Sequence, residues 1–275
     1  MTAVHDHAAA RAALARVAVR TQGLFAGLTE TEVMADTRWT VGDVGAHLLI
    51  ALRGFTDAVS GDGERWAGLA PQVGSFHDRL AAFSARTIAE EPPRDLAALG
   101  AHVVQASEEF LAASAGCHPD ERMPTPWYGD GASLSVSAAT CLLLAEQVVH
   151  GYDIARQVGS LWPMRQDEAC LVFHAVTAMM PMVVDVAAAK GVSASFDIRL
   201  RGGQRFVVRV DDGTALVEPP GPQPVDCHLS VDPVAFLLVG YGRVSQWRAI
   251  ARGQLMTWGR RPWWGLRLKG LFSNP

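Results

Sequence analysis

The sequence predicts an α+β chain in two parts: a bundle of helices, then a smaller domain in which strands and helices mix. Three observations predict it. Up to about residue 160, apolar residues recur in long segments at helical spacing. From Ser193 the pattern changes to the alternation of strands, with turn signals between them. The chain also has 275 residues, enough for one large or two ordinary domains. A block of strands after an all-helical half implies two domains, 1–163 and 164–275.

The helices come in order. Residues 8–28 are alanine-rich, with Leu14, Val17, Val19 and Leu24 on an irregular apolar face. Residues 40–60 begin "WTVGDV": Thr40 suits an N-cap, and Asp43 stands where a capping box usually has Glu or Gln. Residues 75–89 and 94–115 are two further helical patterns, split by "EEPP", whose prolines oppose a continuous helix. A Pro- and Gly-rich loop, "GCHPDERMPTPWYGDGAS", leads to a long apolar helix over 134–158 that Gly159 ends. Four or five long helices joined by loops are the pattern of a bundle. His5 and His7, near the terminus, are expected to be disordered.

Residues 166–190 read as one more apolar helix, ended at "KGVSAS". "SFDIRL", "RFVVRV", "TALVEP" and "DCHLSV" then read as strands, and "RGGQ" and "DDG" as hairpin turns. "DPVAFLLVGYG" is a short helix with Asp232 as N-cap and Pro233 at its first position. The chain closes on "WRAIARGQLMTWG" and the amphipathic "RRPWWGLRLKGLF". Trp263, Trp264, Leu266, Leu268 and Phe272 there are expected to pack onto the strands.

Composition narrows the function classes. A hydrophobic fraction of 49% and a charged fraction of 19% are those of a soluble globular protein. The net charge of −4 argues against binding nucleic acid by phosphate neutralisation. It also argues against a basic membrane-surface helix. The longest apolar run, "CLVFHAVTAMMPMVVDVAAA", is broken by His174, Pro181 and Asp185, so no membrane span is read. The N-terminus lacks the pattern of a signal peptide. Cys117, Cys141, Cys170 and Cys227 form no CxxC pair, and a reduced, cytoplasmic setting is expected.

The chemistry concentrates in "LLLAEQVVHGYDIAR". Glu146 and His150 leave one face of an apolar helix, about 5–6 Å apart at Cβ. Taken alone, the pair reads more readily as a local ion pair on a partly wet face. "WTVGDVGAHLLIALRGF" adds His47 on another helix, again among apolar residues. Bundle helices pack with axes roughly 8–10 Å apart, so the three side chains can meet. Two imidazoles and a carboxylate make a three-ligand site that leaves a position open for water or substrate, as in catalytic zinc centres. The donors suit zinc, with iron, nickel or manganese as alternatives. Asp153 and Asp43 stand where they could orient His150 and His47. Asp43 has the helix cap as its other role. Tyr152, Trp127 and Tyr128 are candidates for a pocket mouth or for simple packing. His77, Asp78 and Arg79 are consecutive, so they fan out over a solvated face.

"WTVGDVGAH" (39–47) and "EQVVHGYDIARQVG" (146–159) resemble the two signature segments of the mycothiol-dependent maleylpyruvate isomerase family, within the DinB-like metal-dependent superfamily. The resemblance implies a DinB-like four-helix bundle with His47, Glu146 and His150 as metal ligands. "DCHLSVDPVAFLLVGYGRVSQWRAIARGQLMTWG" is similar to the sterol-carrier-protein-like domain that follows the bundle in many members. There the active site is expected in a cleft between the domains, with an arginine of the second domain anchoring an anionic substrate. Arg243, Arg252, Arg260 and Arg261 lie near that region; Arg252 and Arg260 are the best candidates, each with a solvated surface role as the alternative. The implied activity is an isomerase or S-transferase that uses a divalent metal, zinc above others, and mycothiol as cosubstrate, on a small electrophilic, anionic substrate. The rivals are a metal-dependent hydrolase on the same site and a non-enzymatic binder of apolar ligands. Neither nucleic acid nor membrane is an expected partner, and the chain is expected as a monomer or homodimer.

Overall fold

Capping chemistry sets the helix limits in the first half. The computed structural model describes residues 3–28, 33–35, 39–71, 74–91 and 95–273, with the backbone alone for 3–5. Helix α1 spans Ala3–Ala26 and α2 spans Val41–Ser60. Before α2 the Asp43 N–H donates to the Thr40 hydroxyl (3.1 Å), and the Thr40 N–H donates to the Asp43 carboxylate (2.9 Å). Each side chain thus satisfies a backbone donor that the first turn leaves open. The same box, from Ser75 and Asp78, starts α3 at Phe76–Glu90. Asp95 caps α4, Leu96–Ala113. Helix α5 runs Val136–Val158 from an N-cap at Ser135 to Gly159, whose φ of 70° ends it. The prolines of "EEPP" and Arg94 lie outside the described residues.

Helix α1 packs on α4 and α5, and α2 packs on the same two, which makes these four the bundle. Helix α3 lies beside α2 and a 3-10 segment, Gly63–Leu69. Leu14, Phe25, Leu48, Leu52, Phe110, Leu143, Leu144 and Ile154 fill the core with almost no exposure. Each contributes roughly 1.5–3 kcal/mol relative to an exposed position. One buried polar thread crosses this core. The Thr21 hydroxyl donates to Gln147 Oε1 (3.3 Å), and Gln147 Nε2 donates to Ser107 Oγ (3.2 Å). It ties α1, α4 and α5 at the height of Glu146, and its satisfied partners favour one register over its neighbours. His7, expected to be disordered, instead lies buried in α1 with Nε2 3.2 Å from Thr140 Oγ1. The side chain of His5 lies outside the described residues.

The loop before α5 contains a small hairpin, β1 (Arg122–Pro124) paired with β2 (Ser133–Ser135). Three-residue strands are too short for alternation to reveal them. Trp127 and Tyr128, on its 3-10 turn, are buried against Phe55, Phe83 and Phe76, so packing is their role. After α5 the chain turns back, and Trp162 lies against Gly151. The Trp162 indole N–H donates to the Val148 carbonyl (3.0 Å), and the Arg20 guanidinium lies 4.4 Å over its ring. A Cβ on Gly151 would stand 2.1 Å from that ring.

The chain divides into two compact units, Met1–Met164 and Arg165–Pro275. The second opens with α6, Gln166–Met179, and not with the longer helix expected over 166–190. Pro181 has no N–H to continue the backbone ladder, so the helix stops at Met179 and the apolar run continues as turns, although Met180 itself keeps helical φ and ψ. Strands β3 (Ser193–Leu200), β4 (Arg205–Asp211), β5 (Thr214–Glu218) and β6 (Cys227–Val231) are those the alternation predicts. Asp212 and Gly213, with φ of 42° and 84°, make the two-residue turn between β4 and β5. Helix α7 (Pro233–Gly240) begins at its Asp232 cap, and α8 covers Gln246–Ala251. A fifth strand, β7 (Leu255–Trp258), joins beyond those expected. The sheet order is β5-β4-β3-β6-β7, antiparallel except where β3 and β6 run parallel. One face carries Phe196, Ile198, Val208, Leu229 and Val231, all buried. The other carries Asp197, Arg199, Arg205, His228 and Trp258. At the C-terminus come α9 (Trp264–Arg267) and a 3-10 turn, Leu268–Leu271. Leu268 is buried and Trp264 meets Phe196 edge-on, but Trp263 and Leu266 are exposed, against the expectation that all would pack. Among the described residues no helix is long and apolar enough to cross a membrane.

Gly151→Ala should lower stability by about 1–3 kcal/mol in urea denaturation, because the added methyl overpacks the indole. Trp162→Ala in the same chain should recover part of that loss, since the two positions share one contact. Additive losses would show that the contact is not what excludes a side chain at 151.

Candidate metal centre

Two helices bring the three predicted side chains together. His47 lies in the second turn of α2, and Glu146 and His150 lie one turn apart near the middle of α5. Glu146 Oε2 is 3.2 Å from His47 Nε2 and 3.3 Å from His150 Nε2. One donor atom from each residue falls within 4.8 Å of the others. The side chains are 15%, 26% and 12% exposed for His47, Glu146 and His150, so the cluster is sheltered but reachable.

Electrostatics favour an ionised carboxylate here. Burial pushes the Glu146 carboxyl up, but hydrogen bonds from His150 and then His47 outweigh it and hold the group well below the usual carboxylate range. Among the described residues no Lys or Arg pairs with this carboxylate, so its partners are two imidazoles.

Two of the three edges of the donor set have the length a small divalent ion requires. Bonds of about 2.0–2.1 Å in a tetrahedron give edges of about 3.3–3.4 Å. The two nitrogen–oxygen separations match that edge. His150 supplies a second test. Its Nδ1 is buried without a hydrogen-bond partner and stands 3.9 Å from Asp153 Oδ2. If His150 donated from Nε2 to Glu146, Nδ1 would be a buried acceptor facing a carboxylate. A bound cation would take the Nε2 lone pair in place of the hydrogen bond to Glu146, and the proton would then sit on Nδ1, on the side of Asp153. That is the tautomer a cation requires, with a carboxylate behind it.

Trp39 completes the surroundings, and the sequence reading assigned it no role. Its ring lies 4.7 Å from that of His47 and 5.7 Å from that of His150, and so covers both. Backbone bonds hold the segment: the Ala35 N–H donates to the Trp39 carbonyl (2.9 Å), and the Val41 N–H donates to the Val33 carbonyl (2.7 Å). The one signal available beforehand is its position, next to the Thr40 cap of the helix that carries His47.

The other candidates are placed as follows. Asp43 serves the α2 cap, with Thr40 as its partner. Asp78 likewise caps α3, and Arg79 donates to the carbonyls of Gly74 and Tyr128. Tyr152 is half-buried and, two residues past His150, points away from the ligands' face of α5. In the second unit Arg260 pairs with Asp226, Arg261 lies 3.8 Å from the same carboxylate, and Arg243 donates to the Tyr241 carbonyl. Arg252 ends α8 with an exposed side chain. Burial pushes all four thiols up, Cys141 to about 12, so none is a ready thiolate.

Residues 11–155 match the protein family described as the mycothiol maleylpyruvate isomerase N-terminal domain. Among solved structures, a mycothiol-dependent maleylpyruvate isomerase aligns over 94% of this chain and 93% of its own, at 14% identity and a TM-score of 0.49. A mutant of that isomerase aligns over the same shares, 94% and 93%, at 12% identity and 0.48. The stereoselective inverting sec-alkylsulfatase Pisa1 from Pseudomonas sp. aligns over 50% of this chain and 24% of its own, at 13% identity and 0.32. No curated protein matches the chain.

Asp153→Asn should weaken the binding of zinc about 10–100-fold, as measured by competition with a chromogenic chelator. Unchanged affinity would remove Asp153 from the support of His150.

Proposed function

The chain belongs to the mycothiol maleylpyruvate isomerase family, and we propose that it is a divalent-metal-dependent enzyme that uses mycothiol to isomerise or conjugate a small electrophilic anion. The observation that carries this reading is the meeting of His47, Glu146 and His150, with both imidazoles at a tetrahedral edge distance from the carboxylate. A bound metal, zinc by its donor set, supplies Lewis acidity and favours a thiol in its thiolate form near neutral pH.

The chain's own groups define the rest. His47, Glu146 and His150 would hold the metal, and three ligands would leave a fourth position open. Asp153, 3.9 Å from Nδ1, would favour the His150 proton there once the metal is bound. Trp39 shields the imidazoles from bulk water. The nucleophile comes from outside, because the chain's cysteines are held as thiols. The thiolate sulfur bonds to the electrophilic carbon of a conjugated alkene, and the π pair moves onto the conjugated carbonyl oxygen. The former double bond, now single, rotates. The pair then returns, the carbon–sulfur bond breaks, and the trans alkene and free thiolate leave. If a proton reaches the carbon first, the product is the thioether, which is the transferase outcome. Arg252, exposed and without a side-chain partner among the described residues, suits the anchoring of the substrate's anionic group. Arg260 suits it less, since Asp226 engages it. Four free cysteines fit a reducing, cytoplasmic setting.

The purified protein should carry about one transition metal per chain by elemental analysis. His47→Ala and His150→Ala should each lose the metal while the far-ultraviolet circular dichroism stays that of the parent. Turnover across a panel of conjugated electrophiles should require thiol and vanish in both variants. Metal retention in both would overturn the ligand assignment, and turnover without thiol would overturn the reaction class.

A further inference from the structure

The outer face of the second unit's sheet holds one histidine more firmly than a solvated side chain requires. His228, on β6, pairs in register with Asp197, on β3, and places Nδ1 2.7 Å from Oδ2. The Asp197 side chain is only 6% exposed. Arg205, on β4, forks onto it, Nε to Oδ1 and Nη2 to Oδ2, each at 2.7 Å. Hydrogen bonds from Arg205, then His228, overcome burial and hold the Asp197 carboxyl below its usual range. An ionised carboxylate only accepts, so His228 donates from Nδ1. When the ring is neutral, its other nitrogen, Nε2, therefore carries the lone pair.

Two further elements fix the ring and leave that nitrogen open. Trp258, on β7 and opposite His228 in register, stacks on it at 5.6 Å and 14°. Gly259, at φ 115°, passes the ring at Cδ2, the atom bonded to Nε2, where a Cβ would stand 3.0 Å away. Glycine thus keeps clear the edge from which Nε2 is reached. The His228 side chain is 33% exposed, and among the described residues Nε2 has no partner. His118, in a loop of the first unit, is the contrast. It is 70% exposed, but its Nδ1 accepts the Asp120 N–H (3.3 Å), which puts the ring proton on Nε2. Exposure favours His118 as a reactive imidazole, and tautomer favours His228.

We propose that His228 is a nucleophilic site that takes an acyl group at Nε2 from a small activated acyl donor. The Nε2 lone pair forms a bond to the carbonyl carbon, and the π pair moves onto the carbonyl oxygen. That pair returns, the bond to the leaving group breaks, and the leaving group departs with its electrons. The ring is then an acylimidazolium whose Nδ1–H still faces Asp197. Charge that develops on the ring thus meets a carboxylate already in place. Loss of the Nδ1 proton to water gives the neutral acylimidazole. The chain's thiols are poor rivals, because burial pushes all four up. The site is independent of the metal centre and of the reaction proposed for it.

Diethyl pyrocarbonate serves as the probe on the full chain, at about pH 8, above the ordinary imidazole range. Peptide mass spectrometry of timed samples gives a rate for each histidine. His228 should acylate about tenfold faster than His118, a factor within reach of one strengthened charge-assisted hydrogen bond. Long-range proton–nitrogen spectra should show Nδ1 protonated in His228 and Nε2 in His118. Asp197→Asn, with the far-ultraviolet circular dichroism of the parent, should bring the His228 rate down about tenfold, by loss of the same bond. If that variant does not fold, the order of rates in the parent chain decides alone. His118 reacting as fast as His228 would overturn the proposal. So would a His228 ring protonated at Nε2 alone, or a rate unchanged in folded Asp197→Asn.

Discussion

Glu146 Oε2 lies within 3.3 Å of two imidazole nitrogens that reach it from two helices. The rest of the bundle is arranged around keeping that meeting in register. Helix α5 is buried along most of its length, and the Glu146 carboxylate on it keeps only 26% of its side chain exposed. An uncompensated charge there would be costly. The Gln147 thread fixes the height of α5 against α1 and α4, and the apolar contacts of α2 bring His47 to the same level. The polar cluster is therefore a constraint on the packing as much as a product of it.

A second carboxylate makes the contrast clear. Asp197 also takes two partners, but one is a guanidinium that neutralises it with a planar fork. Glu146 has only imidazoles, whose charge depends on protonation. The first arrangement is electrically closed, and its histidine becomes a group presented outward. The second is electrically open, and its histidines become groups turned inward. The same residue types thus yield a candidate cation site in one unit and a closed ion-pair cluster in the other. What separates them is whether an arginine is within reach.

What the sequence revealed follows from how local each signal is. Thr40 with Asp43, Asp232 with Pro233, and Gly159 set element ends by contacts within a few residues, and all were legible. So was the spacing of Glu146 and His150, because one helical turn fixes it. His47 was legible as a polar residue among Val44, Leu48 and Leu49, and its meeting with α5 followed from bundle packing. Trp39 was not, because it comes near the imidazoles only through backbone bonds from 33–35. The hairpin β1–β2 was too short to alternate. The early stop of α6 was hidden by an apolar run that continues past Pro181. His7 looked like a tail residue because its partner, Thr140, is far along the chain.

The contact between Gly151 and Trp162 has a consequence for how this chain can diverge. Position 151 follows a candidate ligand directly, yet what may stand there is decided by a residue beyond the end of the helix. Neither position is free to drift alone. A lineage that shrinks the indole opens room at 151, and one that enlarges 151 must first give up the indole. The two sites are coupled, and the stretch joining them, Tyr152 to Leu161, has to keep the length that brings the indole back to position 151.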